Sequence, residues 1–251
     1  MKLIADTHTH TIASTHAYGT VKEMVEEAAA LGLYAVGITD HGPKMPGSPR
    51  TWYFNNLCAI PSTYLGVRVL KGAEANIADF DGNLDIDEGT LNCLEWIVAS
   101  LHNPTLDTSV IKPTVETCTQ LYLNAAENPH INVIGHCGTL EYAVDYEKVI
   151  PVLAEKGKLI EINDSAFKRK KGSVPNCIKI AQICKKVGAP IIVNTDAHFM
   201  TEMGRFDGSL QMLEEIDFPE ELVVNSSVER FEKYLTEHNI PLRDIYSNPN
   251  K

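Results

Sequence analysis

The chain of 251 residues carries 22 Lys+Arg against 33 Asp+Glu, a formal charge of −11, with 44% apolar and 22% charged residues. A chain of that size builds a core without disulfide staples, and the mixture is neither collagenous nor disordered. Its acidity argues against a long nucleic-acid partner, because such binding depends on lysine and arginine neutralising phosphates.

Short Val/Ile-rich runs alternate with amphipathic segments, which is the pattern of βα units. Strands are predicted at Leu3–Asp6, Tyr34–Thr39, Arg68–Glu74, Trp96–Leu101, Ile131–Gly135, Lys158–Asn163 and Pro190–Thr195. After the first strand, Thr20 and Glu23 form a capping box. Val21, Met24, Val25, Ala28 and Ala29 then share one helical face, and Gly32 supplies a left-handed exit. Further helices are predicted over Tyr146–Lys156 behind Asp145, Pro175–Val187 ahead of Gly188, and Val228–Glu237 behind Ser226.

No Pro/Gly/Ser-rich linker and no repeat divides residues 1–251, so one domain is expected. The fold class is α/β, and the βα units suit a TIM-like barrel or a variant with seven strands. An open doubly wound sheet would place a glycine-rich loop after the first strand, and histidines stand there instead. The longest stretch without a charged or strongly polar residue, Ala28–Ile38, is far short of the roughly 18 needed for a membrane span. The opening residues predict no secretory leader. Six scattered cysteines without a C-x-x-C pair fit a reducing cytoplasm.

Seven of the nine histidines fall at or just beyond the carboxyl end of a predicted strand or in a loop that follows one. His8 and His10 stand two apart, so an extended backbone points both rings to one side, as one metal requires. His16 lies in the following loop, and His41, Glu74, His102 and His136 end the next four strands. Asp196 and His198, again two apart, end the last. Strand ends of a barrel open on one face. His8, His10, His16, His41, Glu74, His102, His136, Asp196 and His198 would therefore converge. Nine ligands exceed what one zinc ion uses and suggest two or three metals sharing a carboxylate. His130 and His238 break the pattern and read as non-ligands.

The runs Asp6-Thr-His-Thr-His10, Thr39-Asp-His41, Glu74, His102, Gly135-His136 and Asp196-Ala-His198 resemble the four-motif signature of the PHP (polymerase and histidinol phosphatase) family. The segments 13–18, 38–43 and 74–77 look like its YcdX-type branch of trinuclear-zinc phosphatases. The resemblance implies a distorted (β/α)7 barrel with the metal site at the C-terminal ends of the strands. It implies three divalent cations, zinc foremost with manganese or iron as alternatives. One would take His8, His10, Glu74 and Asp196, which form the catalytic group. A second would share Glu74 and add His102 and His136, and a third would take His16, His41 and His198. The reaction expected is hydrolysis of a small phosphate monoester by a metal-activated hydroxide, in a protein that is a homotrimer in some relatives. Asp6 and Asp40 are expected to orient imidazoles from behind. Arg205, Arg50 and Lys168, the last in the basic run Lys168–Lys171, are candidate contacts for the substrate phosphate. The competing readings are a nuclease acting on short oligonucleotides, an amidohydrolase-type enzyme and a non-enzymatic metal-binding protein.

Overall fold

The structure, a computed structural model, describes residues 1–169 and 171–240. Its sheet contains β1 (Ala5–Thr9), β2 (Ala35–Ile38), β3 (Thr63–Tyr64), β4 (Val67–Asn76), β5 (Trp96–Ser100), β6 (Val133–Ile134), β7 (Leu159–Asn163) and β8 (Ile191–Asn194). The order is β1-β2-β4-β5-β6-β7-β8, every neighbouring pair parallel, with β3 antiparallel to β4. The seven expected strands are all present in a nearly closed, TIM-like barrel. Strand β3 was not expected. It joins β4 through Leu65 (φ 52°) and Gly66 (φ 80°), a turn of two left-handed residues. Leucine is an unusual residue for the first of those positions, so the sequence carries no Asn-Gly or Asp-Gly signal.

The helices are α1 (Val21–Ala30), α2 (Thr51–Asn56), α3 (Glu88–Leu91), α4 (Val115–Ala126), α5 (Tyr146–Glu155), α6 (Ser165–Lys168), α7 (Val174–Val187), α8 (Asp207–Glu215) and α9 (Val228–Glu237). The capping box of α1 is formed, Thr20 accepting from the Glu23 amide and Glu23 from the Thr20 amide. Ser227, not Ser226, caps α9. Ser226 instead gives its hydroxyl proton to the Val223 carbonyl. No described helix is long and apolar enough to cross a membrane.

The amino-terminal end of the barrel is filled with apolar groups. Ala5, Ala35, Leu70, Trp96, Val98, Val133, Leu159 and Ile192 form one buried cluster with Phe231, Tyr234 and Leu235 of α9, which closes that end. Backbones crowd above it. A Cβ on Gly37 would stand 2.3 Å from the Thr7 carbonyl oxygen, and one on Gly72 2.1 Å from that of Trp96. Polar side chains are thereby left to the carboxyl ends of the strands.

The seam between β1 and β8 is closed by side chains as much as by backbone. The Thr9–Ala197 bridge is supplemented by Asn225, whose amide donates to the carbonyls of Ala5 and Val193 and accepts the Val193 N–H. Replacing Asn225 with Leu leaves three buried backbone groups without that partner. The expected loss is about 3–5 kcal/mol, read as a lowered urea midpoint at unchanged m-value.

Candidate metal centre

Strand β1 carries a register irregularity against β2 between Asp6 and Thr9. Regular alternation would put Asp6, His8 and His10 on one side. The irregularity separates them: His8 and His10 meet Glu74, whereas Asp6 faces Thr195 and Gly204. Backbone strain accompanies the site. His136 (φ 25°) and Asp196 (φ 56°) both take left-handed conformations that a side chain disfavours, as residues aimed into functional sites often do.

All nine expected ligands converge. Glu74, fully buried on β4, is the hub. Its Oε1 lies 2.8 Å from His136 Nε2 and 3.4 Å from both His8 Nε2 and His102 Nε2. Its Oε2 lies 2.6 Å from His41 Nδ1 and 3.5 Å from His10 Nε2. Asp196 Oδ1 sits 3.1 Å from His10 Nε2, 3.7 Å from His8 Nε2 and 3.6 Å from His198 Nδ1. His16 joins through His41, the two Nε2 atoms 3.1 Å apart.

Three sets of ligand atoms lie within 4.8 Å of one another: His8, His10 and Glu74; His41, Glu74 and His102; and His10, His41 and His198. Among the described residues, His8 Nε2, both ring nitrogens of His10, His41 Nδ1 and Glu74 Oε2 are buried without a hydrogen-bond partner, although His41 and Glu74 approach to 2.6 Å. Buried polar atoms that converge without satisfying one another are costly unless something else satisfies them. Imidazole nitrogens and carboxylates of this kind form a donor set for zinc, manganese or iron.

Burial disfavours the charged form of Glu74, yet the imidazoles of His102, His8 and His41 hold its carboxyl well below the usual range. Asp196 is likewise penalised by burial and held low by His8, His10 and His198. Both carboxylates are thus kept ionised, as cation ligands must be.

The groups behind the imidazoles differ from those expected. Asp6 and Asp40 contact no imidazole among the described residues. Asp6 accepts from the amide and hydroxyl of Thr195 and the amide of Gly204, and burial pushes its carboxyl up to about 6 despite those bonds. Asp40 accepts from the Thr11 amide and hydroxyl, the Ser14 hydroxyl and the Tyr53 hydroxyl. It holds the turn that leads to His16, and Ser14 in turn accepts the His41 N–H. The orienting groups are Glu161, Asn76 and a backbone carbonyl. His8 Nδ1 lies 2.7 Å from Glu161 Oε1, and His102 Nδ1 lies 2.8 Å from Asn76 Oδ1. His198 Nδ1 donates to the Asp196 carbonyl at 2.8 Å. Each contact fixes a ring so that its Nε2 is free to face the cluster.

The three basic residues expected at the substrate phosphate are elsewhere. Lys168 is engaged by Asp164 at 2.6 Å and by the Arg205 carbonyl at 2.5 Å. Arg50 is exposed at the start of α2 and Arg205 is exposed ahead of α8, and neither lines the cleft over the clustered histidines. Lys170 lies outside the described residues. His238 stacks on Tyr234 at 3.9 Å and bonds its carbonyl, and His130 faces Glu88, both away from the cluster. His238→Asn is therefore expected to leave metal content and hydrolysis within about twofold of the unaltered protein, because this half-buried ring touches none of the candidate ligands.

A family model for the PHP domain matches residues 6–165. The chain is 46% identical over 235 residues to a probable phosphatase of Acetivibrio thermocellus, covering 94% of this chain and 96% of that one. It is 45% identical over 238 residues to a probable phosphatase of Thermoanaerobacter sp. strain X514, with 94% and 96% covered. Among solved structures it is similar in fold to histidinol phosphate phosphatase from Lactococcus lactis, in complex with zinc, L-histidinol and phosphate. The TM-score is 0.56 at 18% identity, over 87% of this chain and 95% of that chain. A chain in the structure of an archaeal ribonuclease P with mature tRNA aligns at a TM-score of 0.59 and 12% identity, over 96% and 94%.

Proposed function

The chain belongs to the PHP domain family, and we propose that it is a metal-dependent phosphatase hydrolysing a small phosphate monoester at a site for three divalent cations. The observation that carries this reading is the Glu74 carboxylate wrapped by five imidazoles on two edges, with its neighbours' buried nitrogens left unpartnered. His8, His10, Glu74 and Asp196 would hold one cation, Glu74, His102 and His136 a second, and His16, His41 and His198 a third, with zinc the first candidate and manganese or iron alternatives. When bound, such cations polarise phosphoryl oxygens and bring the pKa of water to about 7.

The chain's own residues do the rest. Glu161 and Asn76 hold imidazoles in one tautomer and one orientation, so the lone pairs are positioned before any cation or substrate arrives. Asp40 and Tyr53 fix the turn ahead of His16. The cluster opens into a cleft of about 230 Å³ lined by His16, His41, His102, His136 and His198, which admits a small ester better than a duplex or a folded RNA. The likeness of the curated relatives over nearly their full length supports the phosphatase reading.

The test is hydrolysis of p-nitrophenyl phosphate against bis-p-nitrophenyl phosphate by zinc- and manganese-loaded protein. Monoester turnover exceeding diester turnover at least about tenfold is expected. A preference for the diester would replace this reading with that of a small-oligonucleotide nuclease.

A further inference from the structure

We propose that Arg169 is the substrate-anchoring cation of this site, and that Glu202 holds it at the cleft rim until a phosphoryl group takes its place. This rests on the phosphatase reading above and adds a residue to it.

Among the described side chains that line the cleft, Arg169 alone has a fixed positive charge. Its placement follows from the single turn of α6. Asp164, Ser165 and Lys168 lie on that turn, and the Arg169 amide closes it by donating to the Ser165 carbonyl at 2.8 Å. The Ser165 hydroxyl lies 3.4 Å from Asp196 Oδ2 at the cleft floor. One turn later Arg169 stands at the rim above it, whereas the preceding Lys168 is turned away to Asp164 and the Arg205 carbonyl. The turn thus separates two adjacent basic residues, one spent on structure and one facing the cleft.

The guanidinium is not idle. Its Nη2 lies 2.6 Å from Glu202 Oε2, and the same oxygen accepts the His198 N–H at 3.0 Å. With side chains 44% and 36% exposed, the pair is screened and weakly held, so an anion can displace it at little cost. A guanidinium matches two phosphoryl oxygens in a planar fork. A monoester dianion offers more charge and more free oxygens to that fork than a diester monoanion does. Arg169 therefore favours monoesters, and Glu202 opposes weak anions that cannot outcompete its carboxylate.

Three variants test this on metal-loaded protein, with inorganic phosphate binding followed by calorimetry and p-nitrophenyl phosphate and bis-p-nitrophenyl phosphate kinetics measured alongside. Arg169→Met is expected to weaken phosphate and raise the monoester KM about 10- to 100-fold, while the diester KM moves less than about threefold. Arg169→Lys should recover part of the loss. Glu202→Gln keeps an acceptor for the His198 N–H and should tighten phosphate severalfold. Unchanged phosphate affinity and unchanged monoester KM in Arg169→Met would overturn the assignment while leaving the phosphatase reading intact. An equal loss for monoester and diester would overturn the selectivity. Absence of both turnover and phosphate binding in the unaltered metal-loaded protein would overturn this inference together with the reading beneath it.

Discussion

Glu74→Gln should lose bound metal and hydrolysis together, each by more than about 100-fold, because loss of an outer partner alone typically costs about 10- to 100-fold. The carboxylate is fully buried and approached by five imidazoles. Glutamine preserves its volume but removes the charge and replaces an acceptor with an N–H donor. That donor would face ring nitrogens needed as ligands. Elemental analysis and p-nitrophenyl phosphate turnover on the same preparation check the expectation. The thermal melt of the metal-free variant shows whether folding is preserved. Full activity at unchanged metal content would remove Glu74 from the centre of the site.

Glu161→Gln should reduce zinc affinity and turnover about 10- to 100-fold although Glu161 is placed as no ligand in the scheme above. This carboxylate, 3% exposed, faces His8 Nδ1, accepts the His136 N–H at 2.8 Å, and accepts amide protons from Asn163 and Asn194. All its surrounding groups donate, so a glutamine amide would place donor against donor in a buried site. Its effect should fall on metal affinity first, visible as a right-shifted zinc titration. Retention of the zinc affinity within about twofold would mean that His8 needs no fixed tautomer, and the role assigned to Glu161 would fall.

The barrel was legible because its strands are apolar runs ending in histidine or acid, and because α1 announces itself through Thr20, Glu23 and Gly32. The convergence of the nine candidate ligands was legible for the same reason: strand ends of a barrel converge, so position along each strand stands in for position in space. What escaped is what depends on phase. The irregularity in β1 sends His8 and Asp6 in different directions, and no residue pattern marks it. Asp6 and Asp40 were expected behind imidazoles because they precede them in sequence, yet each is consumed by nearby hydroxyls and amides. Glu161 left a readable trace, as the one charged residue in the apolar strand Leu159–Asn163. A carboxylate there must be partnered, and the nearest partner beside a cluster of histidines is an imidazole. Asn76 belongs with it, since β4 runs two residues beyond Glu74. The basic run after β7 is plain in the sequence, but which of its residues faces the cleft depends on one turn of helix, a distinction of about 100° per residue that sequence alone does not fix.

The most direct measurement is zinc content per chain during reconstitution of chelator-stripped protein, with p-nitrophenyl phosphate turnover recorded at each step. The expected result is negligible turnover without metal, and activity rising as zinc binds until content saturates near three per chain. Undiminished turnover by the stripped protein would contradict a metal-dependent phosphatase, and saturation at one zinc with full turnover would contradict the three-cation site.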